Sequence, residues 1–104
     1  MHKILVLYPP PPDPEAFRTY YETKHIPLAA KLPGMRSYSY AFDAAAPGGG
    51  ESPYFCVFEA VFDDAEAAGA AMSGPEGQAV AADVANYAAE APPTIISFDI
   101  AGSG

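Results

Sequence analysis

An α+β fold of order β-α-β-β-α-β is predicted for this chain by three observations. Four short segments carry strand signatures, two longer stretches carry helical spacing behind capping residues, and the two halves resemble each other in layout. The length of 104 residues matches one compact domain. We expect residues 1–101 to form that domain and 102–104 to be a flexible tail.

The first strand is Lys3 to Tyr8, a continuous apolar run that suits coverage on both faces and is stopped by Pro9 to Pro12. Asp13 then offers an N-cap oxygen, Pro14 a residue whose φ already suits the first helical turn, and Glu15 a negative charge at the positive end of the dipole. Helix one therefore begins here, with Phe17, Tyr20, Tyr21, Leu28 and Leu32 at helical spacing. Pro27 removes a backbone donor and pushes Ile26 away from the α region, which predicts a kink or short break at Lys24 to Ile26. Pro33 and Gly34 end the helix, and Met35 to Phe42 alternates as strand two.

Asp43 to Pro53 is a loop of Ala, Gly, Ser and Pro, and Tyr54 to Phe62 is strand three, rich in aromatic and β-branched residues. Asp63 with Glu66, and Ser73 with Glu76, each fit a capping box, so helix two is expected in two pieces. The second piece, Pro75 to Ala89, places Val80, Val84 and Tyr87 on one face. Pro92 and Pro93 stop it, and Thr94 to Ile100 forms strand four. This is the ferredoxin-like split βαβ arrangement, a four-stranded antiparallel sheet with two helices on one face. Helices on one face leave the other bare, and a second copy of the same sheet is the expected cover, giving a homodimer.

Composition narrows the function. Thirteen acidic residues against five basic ones give a net charge of −8, a poor match for nucleic acid or anionic lipid, so neither nucleic acid nor membrane is expected as a partner. The lone Cys56 cannot form an internal disulfide and suits a reducing cytoplasm, and no apolar run is long enough to span a bilayer. His2 and His25 lack the spacing of a metal site. The glycines at 48–50 are not followed by a Lys-Ser or Lys-Thr pair, and no G-x-G-x-x-G opens a helix. A small-molecule ligand, without metal or cofactor, is the remaining expectation.

Several words of the sequence, read together, resemble the ethyl tert-butyl ether degradation (EthD) domain family. They are Tyr8-Pro9, Asp13-Pro14-Glu15-Ala16-Phe17, Tyr20-Tyr21, His25-Ile26-Pro27-Leu28-Ala29, Lys31 and Leu32-Pro33-Gly34. In the second half the resemblance continues through Phe62-Asp63, Met72, Ser73-Gly74-Pro75-Glu76-Gly77 and Ala82-Asp83-Val84-Ala85-Asn86-Tyr87. It implies a dimeric α+β barrel, a fold shared by cofactor-free monooxygenases, lactone isomerases and polyketide cyclases. The family itself is often labelled oxidoreductase by association, and fold alone does not choose the reaction.

His25 is the leading catalytic candidate. Helical spacing from Tyr21 and Leu28 puts it on the apolar face of helix one, and it falls on the His-x-Pro motif of the resemblance. A partly desolvated imidazole moves protons near neutral pH, as isomerisation, dehydration, ring closure or oxygen addition to an electron-rich ring requires. The structural alternative is a histidine bonded to a carbonyl freed by the kink, such as that of Thr23. Tyr8, Tyr21 and Tyr40 are candidate ligand-lining phenols, with Tyr21 and Tyr40 expected to face each other across helix and sheet. Glu59, a carboxylate in an apolar strand, is a candidate base or an ion-pair partner of Arg36. Asp83, one turn before Tyr87, either orients His25 or ties the two helices together, and the tie is the simpler role. A non-catalytic protein that holds a metabolite for a neighbouring oxygenase fits the same features.

Overall fold

The computed structural model describes residues Met1–Gly104. Its strands are β1 (His2–Tyr8), β2 (Ser37–Ala41), β3 (Cys56–Phe62) and β4 (Thr94–Asp99). They form one sheet of order β2-β3-β1-β4, antiparallel throughout. The expected ferredoxin-like arrangement is present. β1 is central, with His2 opposite both Phe62 and Asp99, and Tyr8 opposite Cys56. The period of two then sorts the side chains. Ile4, Tyr8, Phe58, Ala60 and Phe62 are buried towards the helices, while Leu5, Leu7, Val57 and Val61 on the other face are only partly covered. Within one chain, β1 is thus enclosed on one face and not on both.

Four helices lie over the covered face: α1 (Pro14–Tyr20), α2 (Ile26–Ala29), α3 (Ala65–Ser73) and α4 (Pro75–Asp83). The Asp13 carboxylate accepts from the Ala16 amide at 3.1 Å and caps α1 as expected. Between α1 and α2 the chain does not break. Pro27 has no amide to donate, and a regular α-helix through it would strand a carbonyl one turn earlier. The helix instead widens into a π-helical turn over Tyr21–His25, where the Ile26 amide donates to the Tyr21 carbonyl and the Thr23 hydroxyl donates to the Thr19 carbonyl at 2.6 Å. This replaces the kink predicted at Lys24 to Ile26.

The two-piece second helix is observed, with both caps displaced by one residue. Asp64, not Asp63, caps α3 by accepting from the Ala67 amide at 2.8 Å, because Asp63 is engaged by Arg36 Nε at 2.7 Å. Gly74, not Ser73, begins α4. Gly77 is required at this corner, since a Cβ there would lie 2.3 Å from the Met72 carbonyl oxygen. α4 ends at Asp83 and tightens into a 3-10 turn over Val84–Asn86, short of the Ala89 expected.

Aromatic rings fill the space between the layers. Phe17 is central, stacked on Tyr21 (5.3 Å, 14°) and meeting Tyr8, Phe55 and Tyr87 edge-on at 5.3 to 5.7 Å. Each full burial of such a ring is worth about 1.5–3 kcal/mol, so this cluster is the main anchor of α1 on the sheet.

Candidate functional site

The π-helical turn positions the site. It directs Tyr21 and His25 towards the sheet, where their rings stack at 5.2 Å and 26°, and Tyr87 closes on the imidazole at 4.7 Å. His25 is 4% exposed, and burial lowers its pKa from the ordinary 6.5 although Asp83 opposes the shift. The imidazole is therefore neutral at pH 7.

Its partner is a carboxylate rather than the freed carbonyl considered from the sequence. His25 Nδ1 donates to Asp83 Oδ2 at 2.9 Å. The other oxygen, Oδ1, accepts from the Tyr20 hydroxyl at 2.7 Å and the Asn86 side-chain amide at 3.0 Å. Burial works to raise the Asp83 pKa, but these hydrogen bonds outweigh it and hold the carboxyl below 3.8. An anionic Asp83 fixes the proton of His25 on Nδ1 and leaves the Nε2 lone pair free to accept one. Asp83 thus bonds to both His25 and Tyr20, joining α4 to the π-helical turn and to the end of α1.

His25 lines an apolar cleft between the helices and the sheet, of about 80 Å³, whose walls include Tyr8, Tyr21, Phe58, Met72, Val80 and Ile95. Tyr8 and Tyr21 thus border it with the histidine. A cavity known to hold benzene is about 150 Å³, so the cleft as it stands is smaller than an aromatic ring requires. Among its lining residues Ile95 is 59% exposed, while Met72 and Val80 are partly buried. Behind the cleft, the Tyr8 hydroxyl meets the Tyr87 hydroxyl at 2.8 Å, and both phenols have raised pKa values, chiefly through burial. Both stay protonated.

Tyr40 does face Tyr21, at 5.8 Å and 68°, but its hydroxyl donates to Glu22 at 2.9 Å on the surface and not into the cleft. Glu59 lies on the opposite face of the sheet, where it pairs with Lys3 Nζ at 3.1 Å and is not buried. Arg36 is not its partner, because β2 places Ser39 opposite Glu59 and leaves Arg36 beside Val61 and Asp63. Cys56 is a fully buried core residue, its thiol pushed up to about 12 by burial. Tyr20, Asn86 and Tyr87 complete the site and were not singled out from sequence for it. They join His25 or Tyr8 only through hydrogen bonds and ring contacts that span 58 to 79 positions of chain, or through Asp83 itself.

Comparison with known proteins identifies the family and the fold. The EthD domain matches residues 9–91. An uncharacterized 11.0 kDa protein from the thcB-thcC intergenic region of Rhodococcus erythropolis is 35% identical over 88 residues, 85% of this chain and 84% of that protein. The crystal structure of an ethyl tert-butyl ether degradation family protein from Bacillus halodurans superposes with a TM-score of 0.87 at 32% identity, covering 96% of this chain and 98% of that one. More distant structures share the fold. SnoaB, a cofactor-independent oxygenase from Streptomyces nogalater, has a TM-score of 0.70 at 14% identity over 98% and 94% of the two chains. A dimeric ferredoxin-like protein from Thermobifida fusca has a TM-score of 0.68 at 18% identity over 95% and 90%.

Proposed function

We propose that this chain, which belongs to the EthD domain family, binds a small hydrophobic or aromatic metabolite in the His25 cleft and acts on it as a cofactor-free enzyme. The observation that carries this reading is the His25–Asp83 pair at the wall of an apolar cleft, with Nδ1 committed and Nε2 unoccupied. Nε2 takes a proton from an acidic C–H or phenol O–H of the ligand, and the imidazolium so formed is stabilised by Asp83. Returning that proton to a different carbon gives isomerisation, delivering it to a departing hydroxyl gives dehydration as water leaves, and delivering it to the oxyanion formed when the ligand's carbanion attacks one of its own carbonyls gives cyclisation. If the electron-rich carbanion instead adds dioxygen, the peroxide so formed loses water to leave a ketone, an oxidoreductase outcome of monooxygenase type in which the ligand supplies the electrons; SnoaB is named a cofactor-independent oxygenase. Tyr8 and Tyr21 supply the aromatic walls.

The working unit in this reading is a homodimer. The open face carries Leu5, Leu7, Val57 and Val61 with Ile96 and Phe98, which are 44% and 40% exposed. No helix is long and apolar enough to cross a membrane, and the buried free Cys56 suits the cytoplasm. The net charge of −8 disfavours nucleic acid as a partner.

Binding is tested by thermal shift against a panel of naphthols and enolisable 1,3-diketones, comparing wild type with His25→Ala. A ligand at 100 times its Kd adds about 2.7 kcal/mol of stability. A shift that shrinks in the variant supports the reading, and equal shifts in both proteins remove His25 from the site.

A further inference from the structure

An imidazole bares Nε2 as a base only in the tautomer that keeps its proton on Nδ1, and the group that selects this tautomer must itself be aimed. The Asp83 carboxylate sits on a torsion with a broad energy profile, so one contact to His25 does not hold it. Two further donors converge on its other oxygen from separate elements: the Tyr20 hydroxyl from the end of α1, at 2.7 Å, and Asn86 Nδ2 from the 3-10 turn, at 3.0 Å.

Deepening the reading of His25 as the base of the cleft, on which the inference rests, we propose that Tyr20 and Asn86 are positioning residues. Together they lock the Asp83 carboxylate so that Oδ2 faces Nδ1, which fixes the imidazole tautomer that presents Nε2 to the ligand. Asp83 is the charged group bonded to His25. The other titratable groups around the ring are phenols: Tyr21 and Tyr87 packed against it, Tyr8 beside Tyr21 from β1, and Tyr20 behind Asp83. Neither Tyr20 nor Asn86 lines the cleft. Both border a separate surface groove of about 300 Å³ together with Pro11, Phe17, Tyr87 and Glu90, so replacing them leaves the ligand walls intact.

The test needs no substrate. Long-range proton–nitrogen NMR of the labelled protein reports the tautomer of His25 in wild type, Tyr20→Phe, Asn86→Ala and the double variant, with Asp83→Asn as reference. Wild type should show the Nδ1–H form at pH 8. In the double variant the Nδ1–H population at pH 8 should fall, because a carboxylate released by two donors turns on its broad torsion and no longer holds that proton. A folded double variant with the wild-type tautomer population would overturn the positioning role alone. The Nε2–H form in wild type would overturn the base reading as well. Asn86 is exposed, so Asn86→Ala by itself keeps the test open should Tyr20→Phe fail to fold, with a smaller fall in the Nδ1–H population expected and its absence counting against the role.

Discussion

On the helix side of the sheet, Tyr8, Phe58 and Phe62 are buried within one chain; on the opposite side of the same strands, Leu5, Leu7, Val57 and Val61 are half-covered and Phe98 is 40% exposed. The two faces are similarly apolar but differ in what they enclose. The helix side surrounds a carboxylate and an imidazole hydrogen-bonded to each other, and no buried side-chain polar atom lacks a partner. The open side carries one charged pair, Lys3–Glu59, with both side chains partly in water. A buried charge must be fully satisfied to be tolerated, and once satisfied it is held in one geometry. In the function proposed above, chemistry therefore belongs to the enclosed face and association to the open one.

The largest effect that separates the faces is expected from Phe62→Ala, which should cost about 3–5 kcal/mol because Phe62 is fully buried under α3, whereas Val61→Ala beside it should cost far less in the isolated subunit. Denaturant titration of both variants, each built into a chain held monomeric by Leu5→Asp, checks the contrast, and equal losses would erase it. Next, Leu5→Asp should convert a dimer to a folded monomer, since a charge on the open face is harmless in water but not beneath a second sheet. Size exclusion with light scattering at micromolar concentration reads this directly. A wild type that is already monomeric would contradict the dimer.

A smaller effect is a slope of stability with pH. The His25 pKa is depressed on folding, so the unfolded chain binds its proton first. The stability that His25 contributes is complete above its unfolded pKa of 6.5 and is lost as pH falls from there through the folded value. Asp83 adds a second loss with the same sign below 3.8. Denaturation midpoints between pH 7.5 and 5 should fall in wild type and flatten in His25→Gln, and parallel curves would deny the burial cost. Least of all, Lys3→Ala should change subunit stability by under about 1 kcal/mol, as half-exposed ion pairs do.

The enclosed face was the more legible of the two in sequence for its elements and the less legible for its contacts. Asp13, Pro14 and the alternation of the strands gave the element order, because capping and period-two burial are local. The cap at Asp63 was misplaced by one residue because Asp64 is an equal candidate and Arg36, distant in sequence, engages Asp63; the cap at Ser73 was misplaced because Ser73 closes α3, its hydroxyl donating to the Ala70 carbonyl. The proline signal was real, but its outcome was a wider turn, decided by the stacking of Tyr21 on His25 and their burial against the sheet. His25 stood out as a polar residue on an apolar face. Tyr20 and Asn86 did not, since their partner is an aspartate whose orientation only the packed helices define. For Glu59 an ion pair is observed as one of the two expected roles, but register pairs it with Lys3 on the open face rather than with Arg36.

The most direct test of a proton-transferring enclosed face is product analysis, by chromatography and mass spectrometry, of the naphthols and 1,3-diketones that bind, incubated with wild type and His25→Ala. The account predicts that wild type converts at least one bound compound and that His25→Ala, still folded, is slower by roughly 10²–10⁴-fold, the usual worth of a positioned base. Equal conversion by both proteins would contradict it, and so would a compound that wild type binds and returns unchanged after prolonged incubation, which would make the chain a ligand carrier.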